Sequence, residues 1–353
     1  MFNTATVWAG NWQHAVSSRV STEIDSNPAM SPAYPGSVRR ALFEPGYTLM
    51  GKVGESELKA GLALQIARSS NQILSQNRDS PSMFFDWSRP SDAGEFGISS
   101  RYAETTIRDA EVDATGLVPL DSTRTSRNLS GRWSKTMTER SSLSVNGLYE
   151  RTSYKGATLV DYATRSGGAI FNYAWSDQSA SSLSVSYVEY KTAGIIARRR
   201  FANAILGWNW KPSDYLEFSL QMGTSKVSGG RDMGTQGAAT MQYTGQRNQF
   251  AINAGRQVTP SGLGGFVTAD QVNGNWSHDL SEHSRTGISS GWRKNRSITD
   301  DISRTTEAWL QHNLNSFWGV RTYCRHRIRE GGGVDGASAN ILGLSFTYTN
   351  PDF

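Results

Sequence analysis

Apolar and polar side chains alternate along most of this chain, in segments of about ten residues. The last segment shows the pattern most clearly, since Leu342, Leu344, Phe346 and Tyr348 share one parity and small or polar residues occupy the other. Successive side chains of a strand point to opposite faces, so this segment predicts a strand with one apolar and one polar face. Tight polar links alternate with longer connections between such segments, which indicates antiparallel hairpins.

The spacing of the segments predicts eighteen strands. Tight links occur at 54–57, 90–92, 136–140, 176–180, 212–214, 245–247, 280–282 and 313–315. Strands on either side of them centre near residues 18, 46, 63, 85, 100, 129, 147, 170, 186, 205, 220, 241, 253, 271, 290, 308, 322 and 344. Longer connections are expected at 27–38, 71–82, 109–122, 154–162, 193–199, 227–236, 259–264 and 330–337. An even strand number, short turns and long loops are typical of bacterial outer-membrane barrels.

The predicted fold is therefore all-β, a transmembrane antiparallel up-and-down β-barrel of about 18 strands, with short periplasmic turns and longer extracellular loops. The mean hydropathy is -0.50, with 37% hydrophobic residues, and no segment approaches the roughly 18 apolar residues of a spanning helix. Only helices or closed sheets satisfy backbone groups inside a bilayer. A soluble sandwich, solenoid or propeller is the alternative, because evenly spaced short strands also occur there.

We expect residues 1–353 to form a single barrel domain, in which 1–40 are irregular or supply a first strand and its loop. The first ten residues have neither the basic start nor the apolar core of a signal peptide. We therefore expect a mature chain in the bacterial outer membrane, with its signal peptide removed.

Tryptophans cluster beside the tight links and predict a girdle at the membrane interface, where amphipathic rings prefer the headgroup level. The girdle candidates are Trp133, Trp175, Trp208, Trp210, Trp276 and Trp318. An aromatic core beneath the turns is the alternative.

The densest charge in the chain is a row on one parity of the seventeenth strand, comprising Arg321, Tyr323, Arg325, Arg327 and Arg329. An arginine facing lipid at the midplane costs about 2–4 kcal/mol, so the row is expected to face the lumen. A cationic wall favours anions, and guanidinium groups suit carboxylates or phosphates. A structural ladder that pairs the row with Glu307 on the adjacent strand remains equally open.

Further candidates for the lumen or for contact with a polymer are Arg293, Glu217, Glu150, Tyr190 and Lys59. Sugars stack on aromatic rings and hydrogen-bond to such polar groups, so the mixture suits a carbohydrate, although it also suits a plain hydrated wall. Barrels of about 16 to 18 strands leave an aqueous passage. Conduction is therefore the expected activity.

Other chemistry has little support in the sequence. The histidines show no metal-ligand spacing and Cys324 is the single cysteine, so neither a metal nor a cofactor is expected. No enzyme is expected, because His278, His283 and His312 lie beside predicted periplasmic links rather than at the outer rim. The net charge is +5, yet the basic residues are dispersed over strands, which argues against nucleic acid.

A basic group near the predicted outer strand ends comprises Arg198, Arg199, Arg200, Lys294 and Arg296. It predicts contact with outer-membrane lipid and lipopolysaccharide, or else a solvated rim.

Several stretches resemble the porin-like outer-membrane β-barrel family of bacterial exopolysaccharide synthesis and export systems. They are 25–28, 162–164 with 169–175, and 259–264 with 278–282. The resemblance implies an eighteen-stranded pore through which an exopolysaccharide reaches the cell surface, with a periplasmic export component as partner. Phe353 departs from the family, whose terminal phenylalanine lies on the lipid parity. A non-conducting structural or adhesion barrel and a general anion-preferring porin are the alternatives.

Overall fold

The computed structural model describes residues 11–32, 36–107, 123–155, 159–193, 198–228, 234–296, 301–331 and 334–350. Eighteen strands run through these residues. They are β1 (Asn11–Asp25), β2 (Val38–Val53), β3 (Ser56–Ser69), β4 (Arg78–Ser91), β5 (Gly94–Thr106), β6 (Thr123–Thr138), β7 (Ser141–Lys155), β8 (Tyr162–Ser176), β9 (Ser179–Thr192), β10 (Arg198–Ser213), β11 (Leu216–Val227), β12 (Gly234–Thr244), β13 (Asn248–Ser261), β14 (Gly265–Asp279), β15 (Ser284–Arg296), β16 (Asp301–Asn313), β17 (Trp318–Gly331) and β18 (Val334–Asn350).

The eighteen strands form one closed antiparallel sheet. Each strand pairs with its sequence neighbours, and β1 pairs with β18 from Val16 opposite Asn350 to Asp25 opposite Ile341. Closure leaves no sheet edge unpaired, which is the condition for placing strands in a bilayer. The predicted eighteen-stranded antiparallel barrel is confirmed. Among the described residues, no helix has the length and apolar character needed to cross a membrane.

Every predicted strand centre lies within an observed strand, and the tight links fall at the observed short turns. The strands are 11 to 17 residues long, however, so several predicted loops were too long. Strand β4 begins within predicted loop 71–82, and β13 extends to Ser261, halfway through predicted loop 259–264, with β14 beginning directly after it. Polar residues beyond the apolar band were predicted to be loop, whereas their backbone continues the hydrogen-bonded pairing of the sheet. Predicted loop 109–122 and Phe353 lie outside the described residues.

An apolar band surrounds the barrel. Leu342, Leu344 and Phe346 of β18 are exposed, and directly paired residues such as Val20 opposite Phe346 share their face. Because each strand is paired with the next, the register identifies the outward-facing residues of every strand in the sheet. Large exposed apolar side chains around a closed barrel mark the surface that lipid covers.

Tryptophans mark the turn end of the band. All six girdle candidates have the outward parity: Trp133 on β6, Trp175 on β8, Trp208 and Trp210 on β10, Trp276 on β14 and Trp318 on β17. A second, sparser row that includes Tyr102, Tyr149, Tyr187 and Trp292 has the same parity toward the loop end. Aromatic side chains on both edges of an apolar band define two membrane interfaces.

The tip of the β13–β14 hairpin leans toward the lumen over the loop ends of the shorter neighbouring strands, β11 and β12. Strands β11 and β12 have 12 and 11 residues, shorter than the hairpin beside them. Phe266 of β14 has the lipid parity, yet its ring lies 5.6 Å from that of Tyr190 and 5.5 Å from that of Phe201, which face the lumen. The hairpin tip therefore narrows the loop-side mouth.

Candidate functional site

The predicted lumen candidates all have the inward parity. Arg321, Tyr323, Arg325, Arg327 and Arg329 alternate with outward residues such as Cys324, which is exposed and pairs with Leu342. Glu307 and Arg293 on β16 and β15, Glu217 on β11, Tyr190 on β9, Glu150 on β7 and Lys59 on β3 follow the same inward face through the register. Their contact with a solute remains a prediction.

Glu307 holds two arginines of β17 together. Arg321 Nη2 donates to Glu307 Oε1 at 2.7 Å, and Arg325 Nε donates to Glu307 Oε2 at 2.8 Å. Glu307 is 8% exposed, whereas both arginines retain part of their surface in the bore. The guanidinium of Arg321 also lies 4.6 Å from the ring centroid of Trp309. One carboxylate thus orients two cations without cancelling their charge.

Tyr323 extends this network across β18 to the first strand. Its hydroxyl donates to Glu23 Oε2 at 2.8 Å, and Glu23 forms an ion pair with Arg40 of β2. The ring of Tyr323 can cross β18 because residue 343 is glycine: a Cβ there would lie 2.1 Å from the ring. The sequence placed Gly343 among small inward residues without indicating this role, because the contact joins residues 300 positions apart.

A recess of about 530 Å³ opens beside the arginine row. Gln271, Asn273 and Arg293 line one part of it, and Arg325 and Arg327 line another. Near its loop-side end, Arg329 Nε donates to Asp301 Oδ1 at 3.1 Å. The recess therefore offers both guanidinium groups and amide side chains to a solute, which is the mixture that binds carboxylate and hydroxyl groups.

We name β15, β16 and β17 the cationic strip. Its inward charged side chains, apart from Arg285 at the turn end, comprise the five arginines Arg293, Arg321, Arg325, Arg327 and Arg329 and the two carboxylates Asp301 and Glu307. Five cations against two anions leave a net charge of about three positive units. The strip is therefore both a structural ladder and a positive wall, so the two interpretations of the sequence hold together.

The other charged candidates do not join this strip. Glu150 lies 3.7 Å from Arg124 on β6, and Lys59 lines a separate recess of about 660 Å³ near the turn end, together with Asp86. Glu217 lines a third recess with Lys211. The sequence predicted one lumen in which these groups are mixed. In the structure they lie on different strands and at different levels along the barrel axis.

Two other parts of the inward wall are polar but uncharged: β8 and β9, which lie roughly across the barrel from the cationic strip, and β12 and β13, which lie two to three strands from it. Inward polar residues of β8 and β9 include Thr164, Ser184 and Ser186, and those of β12 and β13 include Gln242 and Asn253. The alternation along each strand predicted polar inward faces, but the sequence analysis did not separate a charged wall from a neutral one. That separation depends on which strands face each other across the closed barrel.

Tyr190 anchors the hairpin tip to this neutral wall. It is fully buried, its hydroxyl donates to the Ser261 carbonyl at 2.8 Å, and its ring stacks on Tyr162 at 5.1 Å. The backbone of Val160 also donates to the Gly262 carbonyl at 2.8 Å. We expected Tyr190 to offer an exposed aromatic face to a sugar; the structure corrects this, because the ring is covered by the tip.

His278 and His312 lie away from the inward charged side chains of the cationic strip. His278 contacts Asn248, and His312 Nδ1 lies 2.8 Å from Ser284 Oγ, both at the turn end and on the outward parity. Within the described part of the chain, no group of three His, Cys, Asp or Glu side chains is arranged to hold a metal ion.

Comparison with solved structures supports the fold over nearly the whole chain. OccAB4 from Acinetobacter baumannii is similar with a TM-score of 0.54 and 7% identity, covering 96% of this chain and 98% of that one. The outer membrane protein OpdK from Pseudomonas aeruginosa gives 0.55 and 9% identity over 96% and 99%, and OpdK has also been crystallised with vanillate. The FrpB iron transporter from Neisseria meningitidis gives 0.51 and 9% over 96% and 81%.

No protein-family model matches the chain, and no curated protein matches it in sequence. The closed barrel of eighteen strands with its two aromatic rows, similar in fold to the outer membrane protein OpdK, lies in the outer membrane, as the sequence predicted.

The expected membership of the exopolysaccharide-export family is wrong, because the solved structures of similar fold include OccAB4, OpdK and FrpB, which are not described as barrels of export systems. The residues that carried the resemblance have structural roles in this barrel. Asp25 Oδ1 accepts a hydrogen bond from the backbone amide of Asn27. The side-chain amide of Asn27 in turn donates to the backbone carbonyls of Ser31 and Ser338. Residues 278–282 surround a tight turn, and 259–264 form the hairpin tip. Turn residues of this kind recur wherever strands must reverse, so they do not identify a family.

Proposed function

We propose that this protein is a diffusion channel of the outer membrane that prefers small, polar, anionic solutes. The observation that carries the proposal is the cationic strip, whose net charge of about three positive units faces the bore. Fixed positive donors in a pore replace the hydration that an anion loses on entry, and they raise the energy of a cation at the same position.

The arginines of the strip are suited to transient binding. Arg321 and Arg325 share Glu307, so their guanidinium groups are held in place but keep donors that a passing carboxylate can use. Binding that is shared in this way is weaker than binding to an unpaired arginine. Conduction needs such weak sites, because a solute must leave each one.

The neutral wall and the hairpin tip limit what can pass. Hydroxyl groups of β8 and β9, roughly across the bore from the strip, and amide groups of β12 and β13, beside it, suit the uncharged polar parts of a solute. The tip, held by Tyr190, narrows the loop-side mouth. A small organic anion with hydroxyl groups fits both walls. Vanillate, an aromatic carboxylate that has been crystallised with the similar barrel OpdK, is therefore a suitable probe.

Planar-bilayer recording of the purified barrel under a salt gradient tests the proposal. We expect a reversal potential that indicates anion preference, and a reduced current when vanillate is added. The double substitution Arg325→Glu and Arg327→Glu changes the strip by four negative units and should abolish or reverse the preference. Replacing Arg89 and Lys135 by glutamate makes the same charge change on the outward face near the turns and serves as the control.

Three results would contradict the proposal. The first is cation preference in the unaltered protein, and the second is an unchanged reversal potential in the double variant. The third is the absence of current from correctly inserted barrels, which would instead favour the non-conducting structural or adhesion barrel.

A further inference from the structure

A patch of basic side chains faces outward just beyond the apolar band. It consists of Arg127 on β6, Arg151 on β7, Arg165 on β8, Lys191 on β9, and Arg198 and Arg200 on β10, and we call it the outer basic patch. Each residue lies within five positions of the loop end of its strand. Each has the lipid parity through the register, so none of them belongs to the lumen.

The patch places like charges directly opposite each other. Arg127 pairs in register with Arg151, and Lys191 pairs with Arg198. Directly opposed side chains on one face have Cβ atoms about 4.5–5.5 Å apart, and like charges at that separation destabilise a sheet. Such an arrangement is relieved when an anion lies between the cations.

Few acidic residues offset the patch. Glu189 of β9 lies directly opposite Arg165 and Arg200 and 3.8 Å from Lys191. The six cations and this carboxylate sum to about five positive units on five adjacent strands, and the nearest further carboxylate on this face is Glu104 of β5, which accepts from the Tyr102 hydroxyl beside Arg127. Among the described residues, Arg151 and Arg198 have no carboxylate within ion-pair distance. The patch thus differs from the outward cluster on β13–β15, where Asp270 pairs with Arg256 and Arg296.

The surface immediately below the patch is apolar and aromatic. Leu183, Val185 and Tyr187 of β9 are about half exposed and follow Glu189 toward the membrane centre. Arg127 lies 5.5 Å from the ring of Tyr102, and Arg165 lies 5.8 Å from that of Tyr149. These contacts hold the guanidinium groups at the level of the loop-side aromatic row. A ligand that fits the whole surface has anionic groups at its head and acyl chains below.

We propose that the outer basic patch binds the phosphorylated headgroup of an anionic glycolipid of the outer leaflet, with the lipid's acyl chains on the apolar surface of β7–β9. The short turns define the periplasmic end of the barrel, so the patch lies at the outer leaflet. Guanidinium groups bind phosphate oxygens in a bidentate manner, and basic side chains near a membrane surface attract anionic lipid. This inference does not depend on what the lumen conducts.

Native mass spectrometry of the intact barrel in detergent tests the site with bisphosphorylated lipid A. The test variant carries Arg127→Gln, Arg151→Gln and Arg198→Gln. The control carries Arg89→Gln, Lys135→Gln and Arg140→Gln, which remove the same charge at the turn end. We expect the wild type and the control to reach half occupancy at similar lipid concentrations, and the test variant to need at least tenfold more. Lipid A without phosphates should bind all three equally weakly.

Folding is checked by the heat-dependent electrophoretic mobility of each barrel, which should be the same for all three proteins. Equal half occupancy in the wild type and a folded test variant would overturn the proposal. Equal binding of lipid A with and without phosphates would also overturn it. Inorganic phosphate that displaces the lipid at equal concentration would assign the patch to a free anion. A wild-type dimer that the test variant fails to form would assign it to a second copy of the chain.

Discussion

Replacing Glu307 by glutamine should make the channel more selective for anions. The substitution keeps the shape of the side chain but removes the carboxylate that Arg321 and Arg325 share. The strip then gains one positive unit, and both guanidinium groups lose their common anionic partner. The change is opposite in sign to that of substituting the arginines themselves, which makes it an independent test of the positive wall.

The magnitude follows from Coulomb's law. One unit charge about 10 Å from a permeating ion contributes about 0.4 kcal/mol in water. Screening at 0.1 M ionic strength reduces this to roughly a third, and screening at 0.01 M reduces it much less. The energy has opposite sign for anions and cations, so its effect on their permeability ratio is doubled. We expect the ratio to rise roughly twofold at 0.1 M and roughly threefold at 0.01 M.

Reversal potentials in planar bilayers at both ionic strengths measure this ratio. Glu189→Gln is the matched control, because it makes the same chemical change on the outward face and should leave the ratio unchanged. A folded Glu307→Gln barrel with an unaltered ratio, or with a shift toward cations, would refute the reasoning. A shift of equal size in Glu189→Gln would show that the measurement reports total charge rather than lumen charge.

Two further substitutions test the packing that shapes the lumen. Tyr190→Phe removes the hydrogen bond to Ser261 and should reduce the free energy that holds the hairpin tip in place by about 1 kcal/mol. We expect larger fluctuations of the single-channel current. Tyr187→Phe, on the outward face of the same strand, should cause no such increase. Gly343→Ala should displace the Tyr323 ring and lower the free energy of unfolding by about 1–3 kcal/mol, measured by denaturant titration. Gly131→Ala, where a Cβ would meet nothing within 4 Å, should have little effect. Equal losses of unfolding free energy in both alanine variants would contradict the assigned role of Gly343.

The alternation of side chains predicted the strands and their faces well, because it is a local property of each segment. The parity of β17 identified Arg325 and Arg327 as inward, and Trp175 and Trp276 as outward, from neighbouring residues alone. Strand ends were predicted less well, since polar residues above the membrane continue the ladder in β13 and β14.

Contacts between distant strands could not be predicted from the sequence. Tyr323 reaches Glu23 only because closure brings β17, β18 and β1 together. Phe266 has the lipid parity but packs against Tyr190, because its hairpin leans over two short strands. The turn motifs that suggested a polysaccharide exporter are requirements of strand reversal, so they indicated the fold and not the solute.

The central claim is that adjacent residues of β17 face lipid and water in turn. The thiol of Cys324 has the outward parity, and Arg325 has the inward one. A charged, membrane-impermeant methanethiosulfonate reagent distinguishes these environments in barrels reconstituted in lipid. We predict that Cys324 reacts slowly and without effect on conductance, whereas Arg325→Cys in a Cys324→Ala background reacts rapidly and changes the conductance in steps. Rapid reaction of Cys324, with no reaction at position 325, would contradict the account.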